Sequence, residues 1–161
     1  MFEVKSDPEV TFLYGEKPHR SVEDTRKWAQ DCIDAMAKHE VMIWTILLRS
    51  SGEPVGTACF WHFQPANHCA ELGYELHPAY WKRGIMSEAL EPVLRFGFES
   101  IGLNRIEAVP LAINEASRSL LRRLGFVEEG VLRQRVQHDG HYYDEVYYSL
   151  MEKEWRERRP L

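Results

Sequence analysis

Lys82, Arg83 and Gly84 are the residues of this chain best placed to hold an anion. Across residues 71–90, ELGYELHPAYWKRGIMSEAL, a strand-like run breaks at Pro78, passes through Trp81-Lys82-Arg83-Gly84 and turns helical. A helix start leaves its first N–H groups unpaired and carries the positive end of the helix dipole. The amides of Arg83, Gly84, Ile85 and Met86 would therefore point at a ligand, and Lys82 and Arg83 add full charges. Gly84 has no Cβ, so an anion can approach the main chain closely. This is chemistry suited to a pyrophosphate. The competing reading is a plain loop with a convenient glycine.

The elements that must position this turn follow from pattern. Residues 1–20 read as irregular, punctuated by Pro8, Gly15 and Pro18. Ser21 reads as an N-cap, with Asp24 completing a capping box, for a helix running to about His39. Its apolar stripe is Trp28, Cys32, Ala35 and Met36. Residues 41–49 read as a buried strand, 55–63 as its antiparallel partner and 70–76 as a third strand. A helix follows over 83–100, bent by Pro92 and stopped by Gly102. Residues 105–111 form a strand, Asn114 caps a helix ending at Leu124-Gly125, and a hairpin turns at Asp139-Gly140. The order predicts an α/β fold, a mixed and mainly antiparallel sheet with helices on both faces, built on a central βαβ unit of strands 70–76 and 105–111. Ligands of such a unit favour the crevice beyond the strands' carboxyl ends, where the basic turn lies.

The 161 residues fit one domain with one core. A net charge of −5 argues against nucleic acid as a general partner. The other basic spots, Arg118 with Arg122-Arg123 and the tail KEWRERRPL, read as solvated helix faces. Three cysteines, Cys32, Cys59 and Cys69, without zinc spacing read as reduced thiols, and seven scattered histidines give no metal site. Neither an apolar run long enough to cross a membrane nor a signal-peptide pattern is seen, so a cytoplasmic protein is expected.

YWKRGIMSEAL resembles the acyl-CoA-binding motif of the GCN5-related N-acetyltransferases (GNAT), Gln/Arg-x-x-Gly-x-Gly/Ala. More closely it is similar to the RimJ/RimL branch, the ribosomal-protein alanine N-acetyltransferases. Ala70-Glu71-Leu72-Gly73-Tyr74, then Asn114-Glu115-Ala116-Ser117, then Leu124-Gly125-Phe126 carry that likeness in order, as does EGVLRQRVQHDGHYYDEVYYSL. The chain departs from the pattern at Trp81, where Gln or Arg is usual, at Met86, where a small residue is usual, and at Leu121, where many relatives place a Tyr general acid. The family's opening strand and helix would lie before Met1, leaving the edge beside residues 41–49 open to pairing with another chain, a homodimer among the outcomes.

The resemblance implies one N-acetyltransferase domain, residues 1–161, moving the acetyl group of acetyl-CoA to a primary amine. Cosubstrate contacts are implied at Leu76, Trp81, Lys82, Arg83, Gly84, Ile85, Met86, Ser87 and Asn114. Glu71 is implied as the base, with Glu75 a second candidate, and Ser117 as the group that protonates the leaving thiolate. Glu75, Tyr74 and Tyr142 are candidates for the amine pocket, with Trp44, Trp61 and His62 in the region where relatives vary acceptor specificity. The acceptor must be a neutral amine. An α-amine titrates near ~7.8 and a lysine near ~10.4, so deprotonation costs less than about 1 kcal/mol for the first and roughly 4–5 for the second. That favours a protein N-terminus, of ribosomal-protein type. A small amine (polyamine, antibiotic or amino acid) and a CoA-binding module without turnover are the alternatives.

Overall fold

A computed structural model describes residues 1–158, so Arg159, in the basic tail, lies outside the described residues. Six strands form one sheet: β1 (Met42–Leu47), β2 (Pro54–Gln64), β3 (Cys69–Leu76), β4 (Arg105–Ala108), β5 (Val127–His138) and β6 (His141–Met151). Their spatial order is β1-β2-β3-β4-β6-β5, antiparallel throughout except for the β3–β4 pair. The mixed, mainly antiparallel fold expected from the sequence is the one observed.

Helices cover both faces. On one side α4 (Ile85–Arg95) and α5 (Glu115–Leu124) bury Leu90, Leu94 and Leu121 against Phe60, Leu72, Ile106 and Tyr148 of the sheet. Each such side chain removed from water contributes about 1.5–3 kcal/mol, so this layer is the main source of stability. Leu121, at the position where relatives carry a tyrosine, is fully buried here. On the other side lies α3 (Val22–Ala37), opened by the expected Ser21–Asp24 capping box.

Several local expectations are corrected. Residues 1–20 are not irregular: α1 (Phe2–Lys5) and α2 (Pro8–Phe12) form there, the second capped by Asp7 with Pro8 in its first turn. Asp7 Oδ1 accepts from the amides of Glu9 and Val10, a cap that short helices need and that the prolines mask in the sequence. The inward stripe of α3 includes buried Thr25, whereas Met36 is 42% exposed. β1 is an edge strand and only half-buried, because its apolar content meets a neighbour on one side alone. The helix after Gly84 gives way at Phe96 to a π-helical turn, Phe96–Ile101, four residues beyond Pro92. A helix that the sequence pattern left unread, α6 (Glu152–Glu157), follows β6 and buries Trp155.

One feature of the sheet shapes the site. β3 and β4 pair only through Cys69–Arg105, Ala70–Ile106 and Glu71–Glu107, and then part. The cause lies on β6. Beyond Ala108 the chain follows β6, with Val146 N–H donating to the Pro110 carbonyl at 2.9 Å and Leu111 bridging to Glu145. β3 meanwhile stays with β2 as far as Leu76. The result is a wedge-shaped gap between two neighbouring strands of a continuous sheet.

Candidate active site

The turn after β3 stands at the wide end of this gap. Lys82 and Gly84 both have left-handed backbone, φ +59° and +78°. At Gly84 such a φ favours glycine, since a side chain there adds strain. A methyl group at Gly84 would find nothing within 4 Å, so the main chain is open to an approaching ligand. Among the described residues, no acceptor takes the backbone N–H of Arg83, Gly84, Ile85, Met86 or Ser87. Lys82, Arg83 and Gly84 are exposed, and the Arg83 guanidinium lies 5.5 Å from the Tyr80 ring centre. Ile85 and Ser87 are half-buried, while the Met86 side chain belongs to the core, leaving only its amide for a ligand.

Trp81 has a different task from the polar residue that the motif calls for. Its indole N–H donates to the Leu76 carbonyl at 2.7 Å and fixes the turn to the end of β3. His77 N–H donates to Val55 of β2. By the strand's period of two, the main-chain groups of Leu76, Tyr74 and Leu72 therefore turn away from β2, towards the gap. Trp81 engages the Leu76 carbonyl, and the ladder that pairs Glu71 with Glu107 takes the Leu72 N–H, so the Leu72 carbonyl, both main-chain groups of Tyr74 and the Leu76 N–H face the gap.

Side chains on the helix face close the gap from one side. The Tyr74 hydroxyl and Ser117 Oγ share a hydrogen bond of 2.7 Å across 43 residues of sequence. Burial pushes the Tyr74 phenol well above its ordinary range, so it keeps its proton. Ser117 is set in place by its own amide, which donates to Asn114 Oδ1 at 3.0 Å as the cap of α5.

The opposite face is polar. Glu71 pairs in register with Trp61 of β2 and Glu107 of β4, and Glu107 in turn with Ser149 of β6. Glu71 is the last residue of β3 paired to β4, at the apex of the wedge. Its Oε2 meets His62 Nδ1 at 3.0 Å, and Oε1 has no partner among the described residues. Glu107 is bound by Arg105 at 2.8 Å. Arg105 also clasps Glu129 and, with the Ser149 hydroxyl, holds that carboxyl down at about 2. Burial pushes the Glu145 carboxyl up; Arg135 opposes this and the charge of Glu71 adds to it. Gly73, between the two glutamates of β3, leaves the space that Cys59 Sγ fills, only 2.9 Å from where a Cβ would be. Burial holds the Cys59 thiol up at about 11, so it stays protonated.

Glu75 shares this face but is already engaged. It is buried, 2.7 Å from Lys5 Nζ and 2.9 Å from the Thr57 hydroxyl. The Lys5 ammonium in turn lies 4.1 Å from the centre of the Trp28 ring. On the far side, Phe12 packs edge-on against His138 and Tyr143 of the hairpin. The N-terminal helices thus reach from β3 to the β5–β6 hairpin on the polar face.

The sequence-derived candidates divide accordingly. Gly84 and its neighbours, Tyr74, Ser117 and Asn114 surround the gap, with Glu71 at its apex. Tyr142 does not join them: it is 64% exposed and, by alternation along β6, faces away from Glu145. Trp44 packs edge-on against Phe60 and Phe96 in the core layer, away from the polar face. Lys5 and the His62–Glu71 contact escaped the sequence reading. A lone lysine in the opening segment and a histidine late in a strand carry no local signal of a partner so far along the chain. Among the described residues, no group of three or more His, Cys, Asp or Glu could hold a metal ion, and no helix is long and apolar enough to cross a membrane.

The sequence profile of the acetyltransferase (GNAT) domain matches residues 1–127. An N-acetyltransferase of Bacillus subtilis, YoaA, described as uncharacterized, is 36% identical over 151 residues, 94% of this chain and 85% of that protein. The [ribosomal protein uS5]-alanine N-acetyltransferase of Escherichia coli is 33% identical over 88 residues, 55% of this chain and 45% of its own. Among solved structures, a GNAT-family acetyltransferase from Bacillus anthracis superposes with a TM-score of 0.84 at 27% identity, covering 96% of this chain and 88% of that one. RimL, described as a ribosomal L7/L12 alpha-N-protein acetyltransferase in complex with coenzyme A, superposes at 0.76 with 27% identity, over 81% and 73%. The open amides, the parted strands and the matched profile agree, and the chain belongs to the GNAT family as an acyl-CoA-dependent N-acetyltransferase.

Proposed function

We propose that this enzyme acetylates a protein N-terminal α-amine, with Glu71 as the base and Ser117, backed by Tyr74, as the donor to the departing thiolate. The observation that carries the reading is the placement of these groups on opposite faces of one wedge. Glu71 stands on the polar face at its apex. The Tyr74–Ser117 pair closes the helix face. An amine approaching from the polar face would meet Glu71 and give up a proton. Its nitrogen lone pair would then be directed through the gap towards a thioester held from the helix side.

The thioester's diphosphate would rest on the free amides from Arg83 to Ser87, and its arm along the Leu72 carbonyl and the main-chain groups of Tyr74. The side-chain nitrogen of Asn114, Nδ2, is a further donor for the arm, since the cap of α5 uses only Oδ1. Acetyl-CoA supplies the activated acetyl group. The protein supplies orientation, a base and a proton for the sulfur. A thiol of pKa ~8.5 leaves readily as thiolate, so a hydroxyl donor is adequate.

The choice of an α-amine is supported by the small deprotonation cost set out above, which suits a single carboxylate. It is also supported by the ribosomal-protein acetyltransferases among the relatives. Calorimetric titration with acetyl-CoA, followed by thiol release over N-terminal peptides and small amines, tests it. Turnover on peptides that begin with alanine or serine is expected. Turnover on polyamines alone would move the assignment to small amines, and tight binding without turnover on any acceptor would mark a non-catalytic module. Replacing Glu71 by Gln is expected to lower kcat by about 100-fold, the scale of a general base. An unaltered pH–rate profile in that variant would remove Glu71 from the role.

A further inference from the structure

His62 is placed against the rule of its own strand. Trp61 pairs with Glu71, so ordinary alternation would send residue 62 to the opposite, helix-covered face. Instead the β2–β3 register shifts between Trp61 and Gln64, and His62 takes left-handed backbone at φ +46°. Such a φ is uncommon for any residue with a Cβ. The bulge returns the imidazole to the polar face, where it stacks on Trp61 with centres 4.1 Å apart and planes 14° from parallel. There Nδ1 meets Glu71 Oε2 at 3.0 Å. Bulges next to active sites commonly re-aim a side chain in this way.

We infer that His62 is the positioning residue for the base, holding Glu71 by Oε2 so that Oε1 is the oxygen offered to the acceptor amine. The inference rests on the reading of Glu71 as base. An ionised carboxylate only accepts hydrogen bonds, so Nδ1 carries the hydrogen and Nε2 is the basic nitrogen. The His62 side chain is 63% exposed against 19% for Glu71, so water reaches the ring while the carboxylate stays sheltered. In the step itself one N–H bond of the ammonium breaks and one O–H bond forms at Oε1, leaving the amine lone pair free to attack. The proton later leaves Oε1 for water. The other groups near Glu71 are Glu107 of β4, neutralised by Arg105, Glu145 of β6, opposed by Arg135, and the Cys69 thiol of β3.

Two substitutions separate orientation from a merely structural role. Because the imidazole is exposed, neither is expected to disturb the core. His62→Ala removes the bond and is expected to lower kcat about tenfold with KM for acetyl-CoA unchanged. His62→Gln keeps an N–H donor and is expected to retain most of kcat. Parental kcat in His62→Ala overturns the inference. So do equal losses in both variants, because that pattern marks a purely structural role. Glu71→Gln assayed alongside keeps the two readings apart. An inactive Glu71→Gln beside a fully active His62→Ala removes His62 alone, whereas an active Glu71→Gln removes the base and its positioning residue together.

Discussion

Leu72, Tyr74 and Leu76 of β3 face the core helices, while Glu71, Gly73 and Glu75 face the N-terminal helices. On the first face the open polar groups are mostly main chain: amides at the start of α4 and the inner edge of β3 where β4 has left it. On the second they are side chains, each tied to a partner: Glu71 to His62 of β2, Glu75 to Lys5 of α1, and Glu107 to Arg105 two residues away on its own strand. A backbone seat requires only the right turn, and it tolerates Trp81 and Met86 at positions where the family's motif expects other residues. A side-chain site depends on every partner, so a single substitution can undo it.

Lys5→Ala should give the largest effect on this contrast. It leaves Glu75 charged and buried without its counter-charge, with the Thr57 and Tyr14 hydroxyls still on it, a change that typically costs about 3–5 kcal/mol. Urea unfolding should show a loss on that scale, and the double variant Lys5→Ala/Glu75→Gln should recover most of it. A loss below about 1 kcal/mol would class the pair with solvated surface bridges.

Gly84 probes the other face. Gly84→Glu places a carboxylate over the free amides and should weaken acetyl-CoA binding at least tenfold by calorimetry. Gly84→Ala meets no neighbour and carries only the strain of its left-handed φ, so it should bind far better than the Glu variant. Equal affinity in parent and Glu variant would take the diphosphate away from this turn. The smallest expected effect is that of Tyr74→Phe. It keeps the buried ring but removes the hydroxyl bonded to Ser117, and should lower kcat roughly three- to tenfold with acetyl-CoA affinity unchanged. A fall in affinity instead would assign the hydroxyl to cosubstrate binding.

Much of this architecture was legible in the chain because it rests on local rules. Alternation marked the strands, Ser21 with Asp24 opened α3, Asn114 and Gly125 bounded α5, and Asp139-Gly140 made the hairpin turn with both residues at positive φ. The basic turn ending in Gly84 was legible for the same reason, since a helix start needs no distant partner. Proline obscured α1 and α2, because Pro8 in a first turn looks like a break until Asp7 is seen capping it. Leu121 was legible as a departure from the family, but not the pairing of Ser117 with a phenol from β3.

What the sequence determined by itself was the order of the strands and of α3 to α5, and the open main-chain turn at the start of α4, both products of short-range sterics and hydrogen-bond accounting. Only the tertiary structure decided which charges neutralise each other and which remain available. Val146 draws the chain after Ala108 towards β6 and opens the wedge. A bulge returns His62 to Glu71, and Lys5 reaches Glu75 across 70 positions of sequence. Those outcomes turn on strand register and on contacts between residues far apart in the chain, which no local pattern encodes.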